Sequence, residues 1–263
     1  MKRLTRSIRP AGASGRAAII AASKDVLCWL ERDNAASALI ARGGINLSVV
    51  GQAMRHVVPD LDPVHAGFTK MVELLQFGCR GTGLCIVRLS NGDMLLVSCA
   101  GVPPGATILP DLSESDLHSA AHYRRLLESG VPSLRLPEGE TLWAIAAQLA
   151  KASPASDLGT AIDAVVKGLG GVVSSSVARQ TLLAMLSVGV FDRSPEGAPL
   201  SEQRLTLSWG MSSATAILER LRHAALRKLE PLGNVDETIL ETLIQLPAAA
   251  KKLLDIDRKA SSW

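Results

Sequence analysis

The chain has 263 residues, with a hydrophobic content of 47%, an aromatic content of 3% and a formal net charge of +3 at pH 7. This hydrophobic content excludes a disordered chain and is sufficient for one large domain or for two to three small ones. The longest apolar runs, such as residues 17–22 and 182–186, are far below the ~18 residues of a membrane helix. Because no export signal is recognisable either, we expect a cytoplasmic protein with no membrane partner.

The residues that most often hold metals or form disulfides show no matching pattern. The four cysteines lack a C-x-x-C pair, which is typical of small core residues in a reducing compartment: Cys28, Cys79, Cys85 and Cys99. His118 and His122 are one helical turn apart, but neither an adjacent glutamate nor a third ligand accompanies them. We therefore predict no metal and no cofactor.

The first 16 residues are predicted to form a flexible basic arm. Lys2, Arg3, Arg6, Arg9 and Arg16 stand there among Ser, Gly and Pro, with little apolar surface to bury. The arm either contributes phosphate contacts or is a solvated tail. Residues 17–42 follow as an alanine-rich helical segment, and Asp33-Asn34 is the expected break within it.

The stretch from 42 to 99 carries the pattern of a complete small domain. Ile45 to Leu47 form a minimal strand, and Ser48 is placed to cap the next helix. The apolar residues of that helix recur on one face: Leu47, Val50, Met54, Val57 and Val58. Gln52, Arg55 and His56 are expected to face solvent.

A second helix is predicted from Asp62 to Phe77. Asp62 supplies an N-cap carboxylate, and Pro63 takes the first helical position, where its missing N–H costs nothing. The patterns of residues 84–89 and 94–99 then predict two strands, and Asn91-Gly92 between them predicts a type I′ hairpin turn. Helices followed by a hairpin are the order of a winged helix.

Residues of about 34–99 resemble the LOTUS domain family, also called OST-HTH. The resemblance rests on GGINLSVVG at 43–51, Asp62-Pro63, and GFTKMVELL at 67–75, in that order. Family members typically show a v-l-s-x-l-g helix start and a G-F-x-K-L-x-x-L-L helix. This chain departs from the pattern at Met71-Val72-Glu73 and in a glycine-rich insertion at 78–83.

The resemblance implies a winged helix that binds RNA, notably G-rich RNA and G-quadruplexes, and that in some animal members docks an RNA helicase. In bacteria, with which the composition is compatible, the domain often follows a NYN-type ribonuclease domain. About 40 residues precede the match, too few for the α/β sheet of such a nuclease. No catalytic triad, carboxylate pair or zinc spacing occurs elsewhere. We therefore predict a non-enzyme with no catalytic residues, and a nuclease or helicase as a possible separate partner.

The rest of the chain is predicted to be mostly helical. Residues 101–140 are expected to be a linker with one helix, in which Ser113 and Asp116 have capping-box spacing. Helices are predicted at 141–149, 158–169 and 174–188, and a hairpin at 191–207. Residues 141–210 would then form a second winged-helix-like domain. The predicted fold class is mainly α with small β-hairpins.

Residues 211–263 are predicted to form C-terminal helices. The first buries a stripe: Ala214, Ile217, Leu218, Leu221, Ala225 and Leu229. Arg220, His223 and Arg227 lie on its other side, where they either contact phosphates or keep a surface helix in water. Asn234 is expected to cap the next helix.

Our leading hypothesis is a non-catalytic RNA-binding adaptor. It rests on the resemblance, on a pI near 8.8, and on cations that are expected to surround the first domain. We expect about half of these to contact phosphates: Arg42, Arg55, His56, His65, Lys70, Arg80 and Arg88.

Two alternatives remain open. In a DNA-binding regulator, the helix from Asp62 to Phe77 would enter the major groove, although His65, Thr69 and Glu73 make a poor set of base readers. In a protein-interaction module, the apolar composition and the extra helices would serve partners instead.

Overall fold

The computed structural model describes residues 15–58, 61–152 and 156–244, which are mainly helical with two small antiparallel sheets. The predicted mainly α class with hairpins is thus confirmed. The chain divides into two compact units: unit 1 comprises residues 1–118 and 230–234, and unit 2 comprises residues 119–229 and 235–263. Within the described ranges, no helix combines the length and apolar character needed to cross a bilayer.

Unit 1 begins with two helices, α1 (Arg16–Arg32) and α2 (Asn34–Arg42). The break predicted at Asp33-Asn34 is confirmed, since Asp33 Oδ1 accepts the N–H groups of Ala35 and Ala36 at 3.1 and 3.0 Å. The predicted basic arm lies outside the described residues except for its end. There Arg16 is already helical and forms an ion pair with Glu114 at 2.6 Å.

Strand β1 (Ile45–Asn46) leads directly into α3 (Leu47–Val57). The expected Ser48 cap is wrong: Asn46 is the N-cap, and its Oδ1 accepts the Ser48 N–H at 2.9 Å. Because β1 is only two residues long, α3 begins at Leu47, one residue before the predicted cap. Leu47, Val50, Met54 and Val57 are buried as predicted, and Val58 is half-buried.

The helix predicted over 62–77 is two elements, a 3-10 turn (Pro63–Ala66) and α4 (Met71–Cys79). The Asp62 cap is confirmed, because its Oδ1 accepts the Val64 N–H at 2.9 Å. The interruption is at Gly67, whose φ is +81° and where a Cβ would lie 2.5 Å from Leu232 Cδ2. A left-handed residue in so close a contact ends the 3-10 turn.

Four strands form the sheet of unit 1: β1, β2 (Leu84–Arg88), β3 (Met94–Ser98) and β4 (Thr107–Ile108). Their order is β1-β3-β2-β4, and all neighbours are antiparallel. Because β2 is central, residues 84–87 are buried without alternation. The sequence did not predict β4, which pairs Ile108 with Val87.

The predicted hairpin between β2 and β3 is confirmed, but its two-residue type I′ turn is wrong. The Gly92 N–H donates to Leu89 O at 2.9 Å, so Ser90 and Asn91 occupy the central turn positions. Gly92 itself has φ +90°. A turn followed by a left-handed glycine gives a three-residue loop, the next most common hairpin connection.

The range 101–140, expected to be a linker with one helix, contains β4 and two helices, α5 (Glu114–Leu117) and α6 (Ala120–Glu128). The capping box of Ser113 and Asp116 is confirmed. A second cap at Ser119, whose Oγ accepts the His122 N–H at 3.2 Å, starts the new helix. The division between the two units also falls here, after residue 118.

Unit 2 continues with α7 (Gly139–Ala152), α8 (Leu158–Gly168), α9 (Ser175–Ser187) and a hairpin of β5 (Phe191–Ser194) and β6 (Arg204–Leu207). These elements confirm the predicted order of three helices and a hairpin. Helices α10 (Ala214–Leu229) and α11 (Glu237–Leu243) follow. Asp236, not Asn234, caps α11, and the Asp236 N–H donates to the buried Tyr123 hydroxyl at 2.8 Å.

Both units share one non-local pairing. In unit 1, β1 lies between α2 and α3 in sequence and pairs antiparallel with β3, the second hairpin strand. In unit 2, Ser156 lies between α7 and α8 and forms an antiparallel bridge with Leu205 of β6, again the second hairpin strand. Both hydrogen bonds of the bridge are present, at 3.3 and 2.9 Å. The order of three helices and a hairpin, with a segment after the first helix that pairs with the second hairpin strand, therefore occurs twice; that segment is the strand β1 in unit 1 and a single bridge in unit 2.

Candidate nucleic-acid interface

All seven cations predicted for RNA contact are exposed: Arg42, Arg55, His56, His65, Lys70, Arg80 and Arg88. None of them forms an ion pair with another described residue. Their side chains are therefore presented to solvent, as a phosphate contact requires.

Arg55 and Lys70 are brought towards each other by helix packing. A Cβ on Gly51 of α3 would lie 3.5 Å from Met71 Cγ, so the start of α4 lies close to α3 at this point. Arg55 is one turn further along α3 from Gly51, and Lys70 precedes Met71 as the N-cap of α4. Along the chain, Arg55 and His56 lie about one helical turn from Gly51, and Lys70 lies next to Met71.

Other members of the set are spread apart. Lys70 and Arg80 flank the two ends of α4, whose nine residues span about 14 Å. Arg80 and Arg88 lie towards opposite ends of β2, which is five residues or about 16 Å long. Arg80 also lies near acidic residues: hydrogen bonds from Ser113 lower the pKa of Asp116, and Arg80 adds a smaller effect of the same sign.

The charge of each unit limits how strongly its surface attracts phosphate. The described residues of unit 1 contain eight Lys and Arg against ten Asp and Glu, a net charge of −2. Those of unit 2 contain twelve Lys and Arg and twelve Asp and Glu, a net charge of zero. Eight Lys and Arg against three Asp and Glu fall outside the described ranges, so the positive net charge of the chain comes from these segments.

Helix α4 offers little surface to a DNA groove. None of its residues from Met71 to Cys79 is exposed, because it packs against α1, β2 and the 3-10 turn. Its polar side chains have internal partners. Thr69 donates its N–H and hydroxyl to Glu73 Oε2 at 2.7 Å each, and Gln76 Nε2 donates to Pro110 O at 2.7 Å.

Two of the four cysteines, Cys79 and Cys85, are buried core residues as predicted, whereas Cys28 is half-buried and the prediction is wrong for Cys99, which is exposed. Burial raises the pKa of the Cys79 thiol to about 12, and it also raises that of Cys85 to about 12. Both side chains are therefore protonated at neutral pH and are poor nucleophiles. Within the described residues, no group of three or more His, Cys, Asp or Glu side chains could hold a metal ion.

Helix α10 carries the basic face predicted for it. Its buried stripe packs against α6 and α7, while Arg220, His223 and Arg227 are exposed. Two further cations of the helix are engaged within unit 2. Arg222 forms an ion pair with Glu237 at 2.5 Å, and Lys228 Nζ donates to the carbonyl of Pro132.

Sequence reasoning missed Trp209, which follows β6 and is 98% exposed. Its neighbours Ser208 and Gly210 are residue types common in turns, but a turn does not reveal whether a tryptophan beside it is covered. The exposed position depends on how the hairpin of unit 2 meets the start of α10.

No protein-family model, curated protein or solved structure matches this chain.

Proposed function

We propose that this protein is a non-catalytic RNA-binding adaptor built from two winged-helix units, the first of LOTUS (OST-HTH) type. The observation that carries the proposal is the pairing shared by the two units, in which the segment between the first two helices joins the second hairpin strand. This connection turns three helices and a hairpin into the winged-helix order. In unit 1 it coincides with the residues that resemble the LOTUS family.

The proposed RNA contact of unit 1 centres on Arg55 and Lys70. Both side chains are exposed, and Gly51, one turn before Arg55, lies close to Met71, the residue after Lys70. The described part of unit 1, with a net charge of −2, does not attract nucleic acid through its overall field, so binding by it has to come from local contacts to phosphates. We therefore propose weak, salt-sensitive binding that is strengthened by the basic residues at the ends of the chain.

The coverage of α4 argues against a DNA-binding regulator. A recognition helix must present an exposed face that is wide enough to enter the major groove. All nine residues of α4 are buried or half-buried, and Glu73 and Gln76 are occupied by Thr69 and Pro110. Single-stranded or folded RNA does not require insertion of a helix.

A protein-interaction module is the second candidate, because one observation favours it. Large apolar side chains are exposed on two helices of unit 1, Leu39 on α2 at 56% and Val49 on α3 at 50%. The net charge of −2 on the described part of this unit also suits a basic protein surface better than a polyanion. A nuclease or helicase partner would fit this candidate and the adaptor proposal alike.

The test is a binding titration of the full chain with G-rich RNA, mixed-sequence RNA and duplex DNA at two salt concentrations. We expect RNA to bind more tightly than duplex DNA. The Arg55→Ala, Lys70→Ala variant should stay folded, because both side chains are exposed. If each cation contacts one phosphate, the log–log salt slope should fall by about 0.7 per residue.

A matched control removes two exposed cations from α1, in the variant Lys24→Ala, Arg32→Ala. It subtracts the same charge and should leave RNA affinity nearly unchanged. An equal loss in both variants would mean that overall charge is responsible, not the proposed contact. Absence of RNA affinity in the wild type at low salt would overturn the adaptor proposal in favour of a protein-interaction module.

A further inference from the structure

Trp209 is the most exposed tryptophan among the described residues. It is 98% accessible, whereas Trp29 and Trp143 are half-buried. An indole ring is large and mostly apolar, and its exposure forgoes the stabilisation that burial of an aromatic side chain gives. A tryptophan left in solvent is therefore a candidate for contact with a ligand.

The backbone around Trp209 is fixed. The Ser208 N–H donates to Val190 O at 3.0 Å, and the Met211 N–H donates back to Ser208 O at 3.0 Å. Gly210 has φ +84°, and the Ser208 hydroxyl donates to Asp192 Oδ1 at 2.8 Å. The indole thus extends from the second position of a closed turn at the base of the hairpin, so a ligand would not need to order this backbone.

A guanidinium group lies near the same turn. Arg220 Nε donates to Val188 O at 2.8 Å, and its Nη2 is 3.1 Å from the position of a Cβ on Gly189. Val190, two residues after Val188, is bonded to Ser208. These links place the Arg220 guanidinium at the same end of the hairpin as the Trp209 backbone.

A second arginine extends the basic surface away from the tryptophan. Arg227 is seven residues after Arg220 on α10, so it is on the same helix face about 10 Å further along. Both arginines are exposed. Two carboxylates also lie in this region, and they oppose a phosphate rather than attract it: Asp192 accepts from the Ser208 hydroxyl, and Glu219 Oε2 is 3.9 Å from His223 Nε2.

The surroundings of Trp209 fit a nucleobase better than a protein anchor. Aromatic residues that anchor protein interfaces usually stand among other apolar side chains that exclude water. Here the exposed neighbours along the chain are Gly210, Ser212 and Ser213, the apolar Leu207 and Met211 are half-buried, and the nearest exposed cation of α10 is Arg220. An aromatic ring beside cations is the combination that binds single strands, with bases stacked on the ring and phosphates on the cations.

We propose that Trp209, Arg220 and Arg227 form a binding site for single-stranded RNA in unit 2. An unpaired base stacks on the indole of Trp209, and the two arginines contact phosphates of the same strand. The ligand class rests on the proposed function, but the site is separate from Arg55 and Lys70. Duplex RNA binds this site more weakly, because its bases are already stacked and paired.

The test titrates the full chain with an unstructured oligouridine and with a duplex RNA of the same length, using anisotropy of the labelled RNA and tryptophan fluorescence. Trp209→Ala should lower affinity for the single strand by about 5- to 100-fold. Trp209→Phe should keep most of the affinity but lose the fluorescence change. Arg227→Ala should lower the log–log salt slope by about 0.7.

Two exposed side chains of unit 2 provide matched controls. Val131 is 100% exposed, so Val131→Ala removes apolar surface elsewhere. Lys167→Ala removes an exposed cation at the end of α8. Both variants should bind oligouridine as the wild type does, and circular dichroism should be unchanged for all five.

The outcomes separate this site from the proposed function. If Trp209→Ala binds oligouridine as tightly as the wild type while Arg55→Ala, Lys70→Ala binds less tightly, the site is wrong and the adaptor proposal stands. If the wild type binds no RNA, both are wrong. If Trp209→Ala keeps RNA affinity but loses binding to a purified protein partner, the site belongs to a protein interface and the proposal is overturned.

Discussion

The two units share an order of elements but present different surfaces. In unit 1 the third helix, α4, is covered along its whole length, whereas in unit 2 the corresponding helix, α9, exposes Arg179, Gln180 and Leu183. The hairpin of unit 1 closes through a three-residue loop, while that of unit 2 has a long polar loop at 195–203. The same framework therefore does not determine which element meets a ligand, and function has to be argued from each surface separately.

The cores of the two units can be compared by removing one large side chain. Phe68 is fully buried in unit 1, and its ring centroid is 5.5 Å from that of Phe77. Phe68→Ala should lower the free energy of unfolding by ~3–5 kcal/mol, because it leaves a cavity. Urea denaturation measures the loss, and hydrogen exchange should locate the lost protection in residues 61–101. Protection lost mainly in residues 139–207 would contradict the assignment of Phe68 to the core of unit 1.

The pairing of β1 can be disturbed at Gly44, a residue with no counterpart at the single bridge of unit 2. Its φ is +97°, and a Cβ there would lie 2.7 Å from Val97 Cγ1 and 3.0 Å from Leu96 O. Gly44→Ala should cost more than the ~1–2 kcal/mol of a left-handed alanine alone. Thermal unfolding measures the difference.

Gly105→Ala is the control for Gly44→Ala. Gly105 has φ +77° with no atom within 4 Å of a Cβ, so it reports the conformational cost without the clash. Equal destabilisation by the two variants would show that the approach of Gly44 to β3 is not tight.

In unit 2, the hydroxyl of Tyr123 is hydrogen-bonded to the N-cap of the last described helix, α11. Tyr123 is fully buried, and its hydroxyl accepts the Asp236 N–H at 2.8 Å. Tyr123→Phe should cost about 0.5–1.5 kcal/mol, since one hydrogen bond is lost without a change of shape. Faster amide exchange in residues 236–243, with α7 and α8 unaffected, would support this role. Unchanged exchange at 236–243 would show that packing alone holds α11.

The smallest expected difference between the units is the response of one helix cap to pH. The two caps compared are that of α3, which follows β1 in unit 1, and that of α8, which follows Ser156 in unit 2. The cap of α3 is the uncharged Asn46, whereas that of α8 is Asp157, whose Oδ1 accepts the Thr160 N–H at 3.0 Å. Hydrogen bonds from Thr160 lower the pKa of Asp157 below its ordinary value of 3.8. The stabilisation is therefore present above pH 3.8 and is lost as pH falls through the lowered pKa.

Amide exchange, normalised to unstructured rates, should show this as a loss of protection in residues 158–161 in acid, with residues 47–50 unaffected. The variant Asp157→Asn keeps the cap and should remove the pH dependence. A parallel loss of protection at the start of both helices would indicate general acid unfolding instead.

Local signals were sufficient for much of this fold. Asp33 caps α2 as its side chain predicts, and the three helices and hairpin of unit 2 are near their predicted bounds. These features depend on neighbours within one or two turns of the chain, which the sequence displays directly. The predicted winged-helix assignment and RNA contacts remain proposals.

The features that the sequence did not reveal depend on distant residues. The break at Gly67 coincides with the approach of Leu232, and β4 forms because β2 has a free edge for Thr107 and Ile108. The coverage of α4 comes from α1, and the exposure of Trp209 comes from the junction of hairpin and helix. The net charge of the whole chain, +3, was also a poor guide to its surfaces, because the described parts of the two units do not carry this positive charge.

The contact between Gly67 and Leu232 has a consequence for biosynthesis. Residues 230–234 belong to unit 1, although all of the first stretch of unit 2 is translated before them. A nascent chain that has released residues 1–118 from the ribosome still lacks the segment that covers Gly67. Unit 1 therefore completes its packing only after residues 119–229 have been made, so most of unit 2 is already synthesised when the last segment of unit 1 emerges.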